Sequence, residues 1–293
     1  MPSHALHTLL SGLVDYAGLF PPARLDMPAA VNNYASYLRS PEVWALGRFI
    51  VPAARLGEFG HAYADLPSPA RQWRLSVLVD DVAAARPRLA APRPPGSTQP
   101  LIDAVEVKAA APEAIRAAMD ALPPGITAYF ELPLGDGLDE LVAALAATGG
   151  RAKVRTGGVT ADAFPAPDGL LAFIRCCVEH GVPFKATAGL HHPLRAEYRL
   201  TYEPDSPRGT MYGFLNVFLA AAALHAGEDA AAAGRLLVES DPASLAWDDA
   251  GVEWGGLRLD AAALGAARSG CAIAFGSCSF TEPIEDLRAL GWL

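Results

Sequence analysis

The sequence predicts a (β/α)8 barrel, and three observations carry that expectation. Short runs rich in Val, Ile, Phe and Tyr recur at residues 48–52, 74–79, 104–108, 127–132, 152–156, 184–187 and 271–277. Helical stretches at 112–122, 138–147 and 169–180 lie between them. Successive runs begin roughly 25 to 30 residues apart, the length of one βα unit, which implies parallel strands joined by helices. With 293 residues and 52% apolar content the chain can bury such a core. No GxGxxG follows the first strand, so the doubly wound open sheet is the structural alternative.

Taken in order, the first segment of interest is 13–20, LVDYAGLF, followed by Pro21 and Pro22. Either this segment or 252–259 supplies the eighth strand. The Pro-rich stretch 86–100 follows a helix and precedes a strand, so it reads as a stiff connector on the bottom face. After the strand carrying Lys185 the rhythm breaks. Residues from about 191 to 260 hold a polar loop, an apolar helix within 211–226, a second helix and the stretch WDDAGVEWGG. Because this insertion starts at the C-terminal end of a strand, its first part should overhang the barrel mouth as a lid or an oligomer contact. The final run, 271–277, precedes a helix beginning near Thr281 with Pro283 in its first turn. The expected organisation is one barrel domain over 1–293 with an embellishment at about 191–260.

The net charge of −9 and the absence of a basic run exclude a nucleic-acid or anionic-membrane surface as the main partner. The expected partner is a small molecule, anionic or phosphorylated, with homo-oligomerisation left open. The N-terminal MPSHALHTLL lacks a basic segment followed by an apolar core, and the run 211–226 is interrupted by Asn216 and His225 and is too short to span a bilayer. A cytoplasmic location is expected. Four cysteines without a CxxC, and no HxH or HExxH, ask for no disulfide frame, metal or cofactor. Cys176 and Cys177 fall in a helical pattern, and Cys278 reads as a small buried residue.

Chemistry is pointed to by the lysines. There are three, Lys108, Lys153 and Lys185, against twenty arginines, and each lies in a strand-like run. Arg stays charged, whereas a buried Lys can lose its proton and act as base or nucleophile. The plainer reading is that the three stems snorkel from strand ends. Side chains two apart on a strand share a face, which pairs Glu106 with Lys108, Tyr129 with Glu131, Lys153 with Arg155, and Lys185 with Thr187. All four faces can point inward near the C-terminal ends of the strands, where barrel enzymes keep their active sites. Charges there must pair with one another or contact a ligand. Two ammonium groups on adjacent strands would depress each other's pKa, and pairing with Glu106 or Glu131 would oppose that effect.

The successive segments Lys153-Val-Arg-Thr-Gly-Gly and Lys185-Ala-Thr-Ala-Gly-Leu, one βα unit apart, resemble the class I (Schiff-base) aldolases of the deoxyribose-phosphate aldolase type. The resemblance covers about half of the chain and implies that Lys153 forms an imine with a carbonyl substrate while Lys185 activates it. Glu106 or Glu131 would relay protons. The terminal Gly276-Ser277-Cys278-Ser279 resembles that family's last-strand phosphate loop, which implies an anion site beside the helix near Thr281. Glu282 and Glu285 in that helix add opposing negative charge. Leu190 stands where the family pattern has glycine.

Lys108, Arg155, Thr187 and His191 complete the expected substrate contacts. Two other readings compete. One is a metal-dependent lyase or hydrolase using His191 or His192 with Glu131, Asp15 and Glu106. The other is a non-catalytic barrel that binds an anionic metabolite through Lys108, Lys153, Arg155 and Lys185.

Overall fold

In the computed structural model, which describes residues 2–67, 71–90 and 99–293, eight parallel strands close into a barrel. The first seven are β1 (Val14–Tyr16), β2 (Leu46–Pro52), β3 (Arg74–Leu78), β4 (Leu101–Lys108), β5 (Thr127–Glu131), β6 (Arg151–Arg155) and β7 (Phe184–Thr187). Five further strands intervene before the closing one: β8 (Ala196–Arg199), β9 (Arg208–Met211), β10 (Ala246–Trp247), β11 (Gly251–Trp254) and β12 (Leu257–Asp260). The closing strand, β13 (Ala272–Ser277), pairs with both β1 and β7. The predicted barrel is therefore present, and the open question of the eighth strand resolves in favour of the N-terminal segment. The competing segment instead forms β11 and β12 of a three-stranded antiparallel sheet.

The helices are α1 (His4–Leu10), α2 (Met27–Tyr37), α3 (Leu56–Ala64), α4 (Val82–Leu89), α5 (Pro112–Ala121), α6 (Leu138–Thr148), α7 (Pro167–Glu179), α8 (Phe214–His225), α9 (Ala230–Val238), α10 (Ala261–Gly270) and α11 (Thr281–Ala289). Their starts follow from sequence. The Asp26, Asp81, Asp229 and Asp260 carboxylates each accept a backbone N–H in the first turn of α2, α4, α9 and α10, while α5 and α7 open on Pro112 and Pro167. Of the Pro-rich stretch, Arg86, Pro87, Arg88 and Leu89 belong to α4, and residues 91–98, the centre of the expected connector, lie outside the described residues.

Strand alternation separates two environments. Phe49, Val105, Phe130, Val154 and Phe275 face the helices, and the intervening residues face the barrel interior. Around β2 and β3 an aromatic cluster of Tyr34, Phe49, Phe59 and Trp73 joins the strands to α2 and α3.

The insertion has two parts. Strands β8 and β9 form an antiparallel hairpin at the mouth. Helix α8 is buried from Phe214 to Ala223 because α7, α9, α10 and β13 surround it, so elements of the same chain cover its apolar surface. Its one buried polar side chain, Asn216, is fully used. Its amide donates to the Leu236 and Glu239 carbonyls at 2.7 and 2.8 Å, and its oxygen accepts from the Arg195 N–H at 2.7 Å. Among the described residues no helix is long and apolar enough to cross a membrane.

Candidate active site

The register places Lys108, Glu131, Lys153 and Lys185 side by side on β4, β5, β6 and β7. A layer that barrels usually fill with branched apolar residues is here charged. Glu106 lies at its centre. One of its oxygens, Oε1, accepts from Lys185 Nζ at 2.6 Å and from the Ser76 hydroxyl at 2.8 Å, while Oε2 is 2.8 Å from Lys153 Nζ. Lys185 also donates to Asp15 Oδ2 at 2.6 Å, and the other Asp15 oxygen accepts the Arg48 backbone N–H at 2.6 Å. Lys153 completes its pairing with Glu131 at 3.0 Å. The Lys185 ammonium stands 5.4 Å from the centre of the Tyr129 ring, a cation–π distance.

Burial decides the roles these groups can play. Lys185 is 0% exposed and Lys153 5%. Burial alone would lower the Lys185 pKa, yet the Asp15 and Glu106 carboxylates outweigh it and hold the ammonium above the ordinary lysine range. Burial would likewise raise Glu106, but Lys153 and Lys185 pull it far below the usual carboxylate range. The expectation of mutually depressed lysines is thereby corrected for Lys185, because Asp15 and Glu106 each lie 2.6 Å from its ammonium. Three carboxylates, Asp15, Glu106 and Glu131, face two ammoniums, which leaves one excess negative charge. Glu131 is the most exposed of the three.

Glu131 connects this layer to solvent. It lines a cavity of about 600 Å³ above β4 to β6, whose walls include Lys108, Arg155, Asp162, Leu134 and Pro165. Among the described residues neither Lys108 nor Arg155 forms a carboxylate ion pair, and both are exposed at the cavity. Thr187 lies beside Gly276 on the neighbouring strand, where an added Cβ would come within 3.3 Å of the Thr187 hydroxyl. The chain then turns through Ala188 and Gly189, both at positive φ. Thr156 holds this turn by donating to the Ala188 carbonyl at 2.7 Å.

The other expected residues form a second cluster under the hairpin. His191 Nδ1 lies 3.2 Å from Glu282 and 3.8 Å from Cys278 Sγ. Burial would lower the His191 pKa, but Cys278 and Glu282 raise it to about 10. Tyr202 donates to Glu282 at 3.1 Å. His192 is 2.6 Å from Asp286 and stacks on Tyr198. Thus the histidines are engaged by Glu282, Asp286 and Cys278, while Asp15, Glu106 and Glu131 are engaged by the lysines. In the terminal loop the Ser277 hydroxyl accepts the Ser279 N–H at 3.3 Å. The Ser279 hydroxyl accepts the Glu282 N–H at 3.1 Å in the first turn of α11, so Ser277 serves the loop and Ser279 the start of the helix.

Two members of the buried network went unassigned in sequence. Ser76 is visible in sequence only as a polar residue at an inward position of Leu-Ser-Val-Leu, and Asp15 only as a residue that reaches the mouth if 13–20 is the first strand, with a metal-ligand role as its one assigned chemistry. Compared with protein-family models and with curated proteins, the chain matches none. What the structure establishes is a (β/α)8 barrel with Lys, Glu and Asp side chains buried together at its core.

Proposed function

We propose that this barrel is an enzyme acting on a small anionic carbonyl compound through an imine on Lys153, in carbon–carbon lyase or related carbonyl chemistry. The observation that carries the reading is the position of Glu131, which pairs with Lys153 and also lines the mouth cavity beside Lys108 and Arg155. A carbonyl compound in that cavity lies against Glu131, whose carboxylate is 3.0 Å from the Lys153 ammonium just beneath. Lys108 and Arg155 supply the charge for a carboxylate or phosphate on the same molecule.

Glu131 takes a proton from the Lys153 ammonium, and the free amine adds to the carbonyl carbon. The nitrogen passes one proton to the former carbonyl oxygen, which then leaves as water with the proton that Glu131 held, and the nitrogen keeps its last proton and the positive charge as an iminium. That iminium draws electrons from a neighbouring C–C or C–H bond, and Glu131 remains in reach for the proton that follows. Lys185 is a positioning group. It occupies Glu106 Oε1, so the negative charge that Lys153 faces is divided between two ammoniums.

Borohydride trapping against a panel of small aldehydes and 2-keto acids, read by intact mass and peptide mapping, tests this. A reduced adduct on Lys153 is expected, and Lys153→Arg should abolish it. No adduct across the panel, together with substrate affinity retained in Lys153→Arg, would instead favour a binding protein that needs charge and no neutral amine.

A further inference from the structure

A second group of donor atoms lies on the outer helical layer. Asp139 sits in the first turn of α6, and Cys176 and His180 lie four residues apart at the end of α7. That spacing puts the thiol and the imidazole on one helix face. The three side-chain donor atoms lie within 4.8 Å of one another. His180 Nε2 is 2.8 Å from Asp139 Oδ1, and Cys176 Sγ is 3.9 Å from that same oxygen. Zinc holds sulfur at about 2.3 Å and nitrogen or oxygen at about 2.1 Å, which places tetrahedral ligand atoms roughly 3.4 to 3.7 Å apart. Those two separations bracket that spacing.

We propose that Asp139, Cys176 and His180 form a zinc site, with water as the fourth ligand. The thiol excludes magnesium and calcium as the preferred ions, and a mixed sulfur, nitrogen and oxygen set suits zinc. Cys176 is buried while Asp139 is open to solvent, so an ion has both an anchor and an entry path. The position gives the site its role. Helix α6 joins β5 to β6 and α7 joins β6 to β7, so a metal between them ties together the units that carry Glu131, Lys153 and Lys185. The site is independent of the imine reading.

The test is titration of the chelator-stripped, full-length protein with cobalt(II), followed through the thiolate-to-cobalt charge-transfer band, and then displacement with zinc. Saturation at one equivalent is expected, with the band lost in Cys176→Ser and retained in Cys278→Ser. His180→Ala should weaken binding by at least about tenfold. Zinc should raise the unfolding temperature of the wild type and leave that of the Cys176→Ser, His180→Ala double variant unchanged. No saturable band, a band that survives Cys176→Ser, or equal zinc affinity in the double variant would overturn the proposal and leave an ordinary Asp139–His180 ion pair.

Discussion

The lysine–carboxylate cluster inside the barrel and the histidine–carboxylate cluster under the hairpin both stand at the C-terminal ends of the strands, yet they differ in how much water reaches them. Side chains of the Asp15–Lys185–Glu106 set are exposed by 1 to 2%, whereas Glu282 and Asp286 are exposed by 26% and 37%. The inner groups are fixed by strand register and have no route to another partner. The outer groups join the β8–β9 hairpin and the loop before it to helix α11 through side chains that water reaches. Charge sealed across the barrel interior, on β1, β4 and β7, is enclosed on all sides, while charge at the rim meets water.

That contrast breaks most visibly on deletion of one charge from each cluster. Lys185→Met leaves Asp15 and Glu106 buried without their common ammonium, and the expected cost is about 3–5 kcal/mol of stability. His192→Gln, whose partner Asp286 is partly solvated, should cost about 1 kcal/mol or less. Urea unfolding of both variants checks this. Equal losses would mean that the inner cluster is no more sealed than the rim. Lys185→Met combined with Asp15→Asn should recover part of the loss.

The two clusters should also separate in turnover. Once trapping identifies a substrate, Glu131→Gln should lower kcat by on the order of 100-fold, because the proton acceptor beside Lys153 is gone. Glu282→Gln should change kcat by no more than about threefold, since no rim carboxylate contacts the lysines. A rim variant that abolishes turnover while the Glu131 variant retains it would move the chemistry to His191 and Cys278.

The inner cluster was largely legible in sequence because strands alternate strictly. Once 104–108, 127–132, 152–156 and 184–187 are read as parallel strands, Glu106, Glu131, Lys153 and Lys185 must share the interior. Asp15 was harder, since β1 is only three residues long and gives no periodic signal. The rim was less legible. Its contacts join His191 and Tyr202 to Cys278 and Glu282, some 76 to 91 residues apart, and no local pattern encodes which loops meet. The spacing of Cys176 to His180 is visible in sequence, but its third member, Asp139, lies 37 residues from Cys176 on another helix and no local pattern links them.

Acidity offers a third separation. The His191 pKa is raised to about 10, so its folded form holds a proton that the unfolded chain releases near 6.5. The stability this confers is complete below about pH 6.5 and is lost as pH rises through 10. Glu282 is shifted the other way, since His191 outweighs its burial, so its contribution is lost only in acid. Lys185 is raised and Glu106 lowered so far that neither titrates across this window. Stability should therefore fall by about 3–4 kcal/mol between pH 7 and pH 10. His191→Gln should flatten that decline, as measured by urea midpoints across pH, while a slope unchanged by the substitution would place the titrating group elsewhere.

The joint between the clusters gives the smallest effect and the sharpest one. Only five residues lie between Lys185 and His191, and the turn at Ala188 has a φ of 62°, a left-handed conformation that costs a non-glycine residue about 1–2 kcal/mol. Thr156 holds it through bonds to the Thr187 and Ala188 carbonyls at 3.3 and 2.7 Å. Thr156→Val keeps the shape and removes both bonds, so stability should fall by about 1 kcal/mol. Thr156→Ser should restore most of that loss, because the hydroxyl returns. The informative readout is where the loosening spreads. Hydrogen exchange should quicken at residues 188–192 and in the hairpin, and stay unchanged at Lys153 and Lys185, whose strands remain paired. Faster exchange at both lysines would show that the inner cluster depends on the turn, and the distinction between a sealed core and an adjustable rim would fail at its boundary.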